Sequence, residues 1–179
     1  MSNPLASLHR LVWTALLAAL IGVGAFIHFP LGPIPISLQT FFILLAGFIL
    51  GPIQGAVCVG LYLAAGLIGL PVFSGGKAGL GHLLGPTGGF LLGFIPAALA
   101  AGLGARGRGF SWVRTLAGGL AGFAVMYCLG LIWLKFSLGF DWTKTLAVGL
   151  LPFVPGDAIK LVAAVGFYKY LTTKKLAPQ

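Results

Sequence analysis

The sequence predicts an all-α integral membrane protein with six transmembrane helices, and three observations lead there. Of its 179 residues, 59% are hydrophobic and only 7% charged, whereas a soluble domain carries ~25% charged residues. Not one charged side chain occurs between Arg10 and Lys77, so no water-facing surface can be built from that stretch. Proline, glycine and basic residues then divide the apolar sequence into runs near the ~17–25 residues a helix needs to cross hydrocarbon. Disorder is excluded, because it requires low hydrophobicity with high charge density.

Taken in order, the spans are expected at 11–29, closed by Pro30; at 36–50, ended by Gly51-Pro52; and at 53–70, ended by Pro71. The fourth, 88–103, stops at the basic stretch 104–109, and the fifth covers 116–134. The sixth, 146–171, is interrupted at 152–156 by Pro152 and Pro155-Gly156. Residues 1–179 thus read as a single transmembrane domain. The first run flows directly into further spans, so a cleaved leader is not expected.

Orientation follows from the basic residues, which collect on the cytoplasmic side. With the N-terminus inside, Arg10, Arg106, Arg108, Arg114, Lys169, Lys174 and Lys175 fall inside, against Lys77, Lys135 and Lys144 outside. Both termini are then cytoplasmic, and the segments 30–35, 71–87 and 139–156 lie outside. Those outer segments hold Pro30, Pro33 and Pro35 in the first and five glycines in the second. Irregular backbone near a membrane is tolerated where protein buries it or where it lines a cavity. The outer face therefore reads as the working face.

The formal net charge of +9 does not indicate nucleic-acid binding, because the basic residues are thinly spread between apolar runs with no stripe or aromatic platform. Cys58 and Cys128 lie inside apolar runs and are expected to be small core side chains. His9, His28 and His82 are scattered without ligand spacing, so no metal site is expected. Paired carboxylates, a Ser-His arrangement and a His-Glu-x-x-His motif are all absent, which argues against an enzyme. The glycine-rich 74–89 stretch fails as a phosphate loop: Gly76-Lys77 is followed by Ala78, and the first glycine would fall on Pro71.

Asp157 and Lys160 are the sharpest feature. Asp157 is one of two acids in the chain, and the i, i+3 spacing puts both charges on one helix face. Pro155-Gly156 marks a helix start, so Asp157 is expected at the N-cap. Ionisable groups within a membrane helix are costly and mark substrate or ion sites; the alternative is a capped helix with an internal ion pair. The functional reading is preferred because the pair opens toward the outer face. Thr87-Gly88-Gly89-Phe90 opens a helix whose free N–H groups suit a polar or anionic ligand group, or else serves helix entry and packing. Gln39 and Thr40, in an otherwise apolar helix, either bond a neighbouring helix or face a cavity. On the first helix Ala15-x-x-x-Ala19 and Ala18-x-x-x-Gly22 permit close helix approach, within the protein or with a partner.

Four ordered motifs, Pro33-Ile-Pro-Ile-Ser-Leu-Gln-Thr40, Gly66-Leu-Ile-Gly-Leu-Pro-Val-Phe73, Leu84-Gly-Pro-Thr-Gly-Gly-Phe90 and Pro155-Gly-Asp-Ala-Ile-Lys160, closely resemble the BioY family over roughly residues 10–170. These are the biotin-specific substrate-binding (S) components of energy-coupling-factor (ECF) vitamin transporters. The resemblance implies a six-helix fold in the cytoplasmic membrane of a prokaryote that binds biotin from outside, with no cofactor. It also implies a transmembrane coupling subunit and two cytoplasmic ATPases, the first contacting Ala15, Ala18, Ala19 and Gly22. Asp157 would accept a ureido N–H, and Lys160 would donate to the ureido carbonyl or to the carboxylate tail. Gln39, Thr40, Phe73, Thr87, Gly88, Gly89 and Phe90 would complete the site. Family members often carry Tyr where this chain has Phe90, so a hydroxyl contact there is missing. An S component for another vitamin and a stand-alone small-solute transporter are the competing readings.

The charge asymmetry is directly testable. On a cysteine-free background, a membrane-impermeant thiol reagent added outside should label Ser74→Cys and spare Ser111→Cys; the reverse pattern would invert the topology.

Overall fold

The computed structural model describes residues 4–30, 32–107 and 109–176; Arg108, counted above among the inner basic residues, lies outside them. Helix α1 (Pro4–Phe26) runs into a two-residue antiparallel ladder, β1 (His28–Phe29) with β2 (Ile36–Ser37). Then come α2 (Gln39–Leu50), α3 (Pro52–Leu67), the single turn α4 (Leu80–Leu83), α5 (Gly88–Ala105), α6 (Trp112–Leu138), α7 (Trp142–Gly149) and α8 (Val154–Thr173).

The molecule is an all-helical, multi-pass membrane protein. Three helices are long and apolar enough to cross a bilayer, Ser7–Phe26, Gly88–Ala105 and Trp112–Leu138, and α7 with α8, bent by 45°, makes a fourth. Six full spans are not reached by length. Helix α2 has 12 residues and α3 has 16, and at ~1.5 Å per residue α2 is only ~18 Å long. It survives because neighbours shield it: α1, α3, α5, α6 and α8 all pack on it. Every residue from Ile43 to Ile49 is buried, the all-round apolar pattern of a helix surrounded by protein.

Element boundaries shift for local reasons. Helix α1 continues N-terminally through His9 and Arg10 and ends at Phe26, because His28 and Phe29 pair with Ser37 and Ile36. Pro30 and residues 32–35 therefore lie at the tip of a hairpin. Helix α6 extends at both ends, to Trp112 and to Leu138, where Gly139 adopts a left-handed cap (φ 65°). The outer segment 139–156 contains a helix of its own, α7, whose N-cap Asp141 accepts the Lys144 amide at 2.9 Å. The break falls between Gly149 and Val154, so Pro155 and Gly156 lie in the first turn of α8 rather than ahead of it.

Cys58 is buried in the core as expected, but Cys128 is exposed because it stands on the outward face of α6. Helices α5 and α6 approach one another closely. A Cβ on Gly104 would come within 2.5 Å of the Gly118 Cα, and one on Gly122 within 2.7 Å of the Ala97 carbonyl. Such contacts let apolar helices gain dispersion energy where lipid offers no hydrophobic drive. The small residues of α1 are divided instead: Ala15 and Ala19 are exposed, Ala18 is half-buried, and Gly22 is buried against Val72.

The α5–α6 seam should not accept a β-branched side chain. Gly118→Val meets backbone atoms that cannot yield, and overpacking costs ~1–3 kcal/mol, so its melting temperature in detergent should fall by on the order of 5 °C. Gly60→Ala, with open space around it, should match or slightly exceed the parent.

Candidate functional site

At the end of the molecule formed by the hairpin, the 71–87 loop and the start of α8, a small cavity of about 50 Å³ opens between α2, α5, α6 and α8. Its polar lining is Ser37, Gln39, Thr40, Ser74, His82, Thr87, Tyr127, Asp157 and Lys160. The apolar lining is Ile34, Pro35, Phe90, Leu91, Phe94, Met126 and Phe153.

Asp157 lies at the centre of this site and is only 3% exposed. Its Oδ1 accepts the Lys160 ammonium at 2.9 Å and the Thr40 hydroxyl at 3.0 Å. Its Oδ2 accepts the Tyr127 hydroxyl. Helices α2, α6 and α8 thus each direct a donor at one carboxylate. Lys160 spends its other two protons on the Ser37 carbonyl (2.7 Å) and on Thr40 Oγ1 (3.2 Å). An ammonium has three donors and a carboxylate oxygen two lone pairs. The lysine and Oδ1 are therefore fully engaged, while Oδ2 keeps one acceptor position.

Asp157 is not the N-cap expected of it. Phe153 occupies that position, the Asp157 amide already donates to the Phe153 carbonyl at 2.8 Å, and the carboxylate turns inward to side chains. The reason is electrostatic: a lysine one turn away and two hydroxyls compensate a buried charge better than exposed-end amides would.

A second network ties the outer loops together. Gln39 Oε1 accepts Ser37 Oγ (3.1 Å) and Ser74 Oγ (3.2 Å), and its Nε2 donates to the Tyr62 hydroxyl. Tyr62 in turn donates to the Val72 carbonyl at 3.2 Å. Phe73 does not line the cavity. It is fully buried behind the wall, over Gly66, edge-on to Tyr62 and stacked on His82 at 5.2 Å. Gly88 and Gly89 are likewise buried, pressed against the Leu83 carbonyl and Trp133. Their place is the packing of the helix entry, while Thr87 and Phe90 reach the cavity. The Phe90 ring lies over Gly130 and meets Tyr127 edge-on at 6.3 Å.

Tyr127, Ser37, Ser74 and His82 were not singled out from the sequence. Tyr127 left a signal: a hydroxyl in mid-helix must find a partner when buried, and the chain has few acceptors. Ser37 contributes a backbone carbonyl to Lys160, which no side-chain pattern can announce. Among the described residues, no three His, Cys, Asp or Glu side chains come together as a metal site.

A family model described as the BioY family matches residues 1–176. The chain belongs to the BioY family. A biotin transporter BioY from Thermotoga maritima is 44% identical over 158 residues, 88% of this chain and 92% of that protein. A probable biotin transporter BioY from Pyrococcus horikoshii is 44% identical over 151 residues, 84% and 88% of the two chains. The crystal structure of the S-component for biotin from an ECF-type ABC transporter superposes with a TM-score of 0.89 at 30% identity, covering 100% of both chains. The fold described above is thus that of the solved S-component.

His82 offers a pH test. Partial burial, and then the nearby Lys77 charge, hold its pKa below the ordinary 6.5. The unfolded chain gains this proton near pH 6.5 while the native protein resists it, so native stability declines as pH falls below that point. Melting temperature should drop between pH 7.5 and 5 in the parent, and drop less in His82→Gln. Parallel curves would place the titrating group elsewhere.

Proposed function

We propose that this chain binds biotin in the cavity around Asp157 and Lys160 and acts as the S component of an ECF-type transporter, a transport component rather than an enzyme. The observation that carries this reading is a buried, hydrogen-bonded Asp–Lys pair flooring an apolar and aromatic cavity, in a chain that belongs to the BioY family. Biotin presents a ureido group with two N–H donors and one carbonyl, an apolar bicycle and a carboxylate tail. The remaining lone pair of Asp157 Oδ2 accepts a ureido N–H beside Tyr127. Lys160 reaches the ureido carbonyl or the tail carboxylate by exchanging one of its present partners, Ser37 or Thr40. Phe90, Phe94, Met126 and Phe153 cover the bicycle, and Thr87 and Gln39 stand at the polar rim.

A cavity of about 50 Å³ is well below the ~300–1,000 Å³ of small-molecule sites. Entry therefore requires the hairpin and the 71–87 loop to move apart and close again. Both termini face the cytoplasm in this reading, so the cavity opens outward. The helices α2 and α3, though short, complete six crossings within the bundle. A transmembrane coupling subunit docks on the exposed Ala15 and Ala19 face of α1, and two cytoplasmic ATPases supply the energy.

The pair is tested by Asp157→Asn, which keeps shape and loses charge, and by Lys160→Met, which keeps the stem. Truncating one partner of a buried charged contact costs ~2–5 kcal/mol, so each variant should bind biotin at least ~10-fold more weakly in folded, monodisperse protein. Parent-like affinity in both would remove the pair from the site. Mass spectrometry of the small molecule released from the purified parent separates biotin from any other vitamin.

A further inference from the structure

The opposite end of the bundle holds a second cavity, about 740 Å³ in volume, that biotin binding does not use. It lies where the start of α1, the α2–α3 turn, the end of α5 and Tyr168 of α8 meet. Arg10 and Arg106 line it together with Gln54, which donates to Thr14 at 3.0 Å and so joins α3 to α1 beside the opening. Its lining also includes the apolar Ile49, Leu50 and Ile53, and Ile53 is 75% exposed.

The depth of the two arginines identifies the ligand's character. Arg10 stands three residues inside the span Ser7–Phe26, and Arg106 directly follows the span Gly88–Ala105. Both therefore sit at the level where hydrocarbon gives way to headgroups. A group fitted to this place is anionic at the top and apolar below. Guanidinium groups suit phosphate oxygens because their planar fork donates in pairs.

We propose that this cavity is a binding site for an anionic phospholipid, its phosphodiester between Arg10 and Arg106 and its acyl chains along Leu50 and Ile53. Two arginines from distant chain segments then hold one headgroup at the junction of α1, α3 and α5. This is distinct from the diffuse attraction of ~1 kcal/mol that any basic residue near an anionic membrane surface experiences.

The test uses full-length protein in nanodiscs of phosphatidylcholine with 20% phosphatidylglycerol, read by native mass spectrometry for retained lipid. The parent should retain phosphatidylglycerol at least ~10-fold over its share of the mixture. The Arg10→Gln/Arg106→Gln variant should lose that enrichment, while Lys174→Gln/Lys175→Gln, with the same change in net charge at the same end, should keep it. Added inorganic phosphate at millimolar concentration should not displace the lipid. Four results would overturn the proposal: no enrichment in the parent, equal loss in both double variants, displacement by free phosphate, or loss of coupling-subunit binding with lipid retention unchanged in the arginine variant. Biotin affinity of the arginine variant should equal that of the parent, so the outcome does not depend on the ligand of the first cavity.

Discussion

A carboxylate buried among membrane helices is the constraint around which this structure is organised. Removing Asp157 from water carries a desolvation cost of several kcal/mol, and the fold offsets it with one donor each from α2, α6 and α8. That requirement restricts how those three helices can rotate and slide. Thr40 must stand at the first turn of α2, Tyr127 must point inward from α6, and Lys160 must follow one turn after Asp157. The same arrangement leaves one lone pair and one exchangeable ammonium facing the cavity. The atoms that compensate the buried charge are thus the same ones left facing the cavity.

The second organising feature is the shortness of α2. Because it is enclosed on every side, it need not reach across the bilayer by itself, and the space beyond its N-terminus becomes the cavity. Gln39 at that end meets Ser37 of the hairpin and Ser74 of the following loop. One amide therefore holds the two loops in register above the site. The close α5–α6 seam forms the wall opposite.

Charge is segregated along the same axis. Asp157, Lys160 and the loop networks lie at one end, while Arg10, Arg106, Arg114, Lys169, Lys174 and Lys175 lie at the other. The cavity end and the basic end are joined by helices that carry almost no charge. The exposed Ala15 and Ala19 lie between the two ends on α1, flanked by the exposed Leu11, Val12, Leu16 and Val23.

Membrane class, the loop-rich end and the Asp157–Lys160 pair were legible from residue order alone, because hydropathy and the i, i+3 spacing are local properties of the chain. The family motifs lie in short contiguous stretches and were legible for the same reason. The number of long spans was not, since proline and glycine mark where apolar runs stop without saying whether a short helix is shielded by its neighbours. Nor did residue order distinguish Phe90, which reaches the cavity, from Phe73, which anchors the loop behind it over Gly66. Tyr127 and the Ser37 carbonyl joined the site only through contacts between segments 30 and 123 residues away from their partners. What a segment is made of determined the class of this protein and its candidate charged pair. Which groups face one another was decided by helix packing, because burial of a charge is satisfied by whatever donors the neighbouring helices bring within reach.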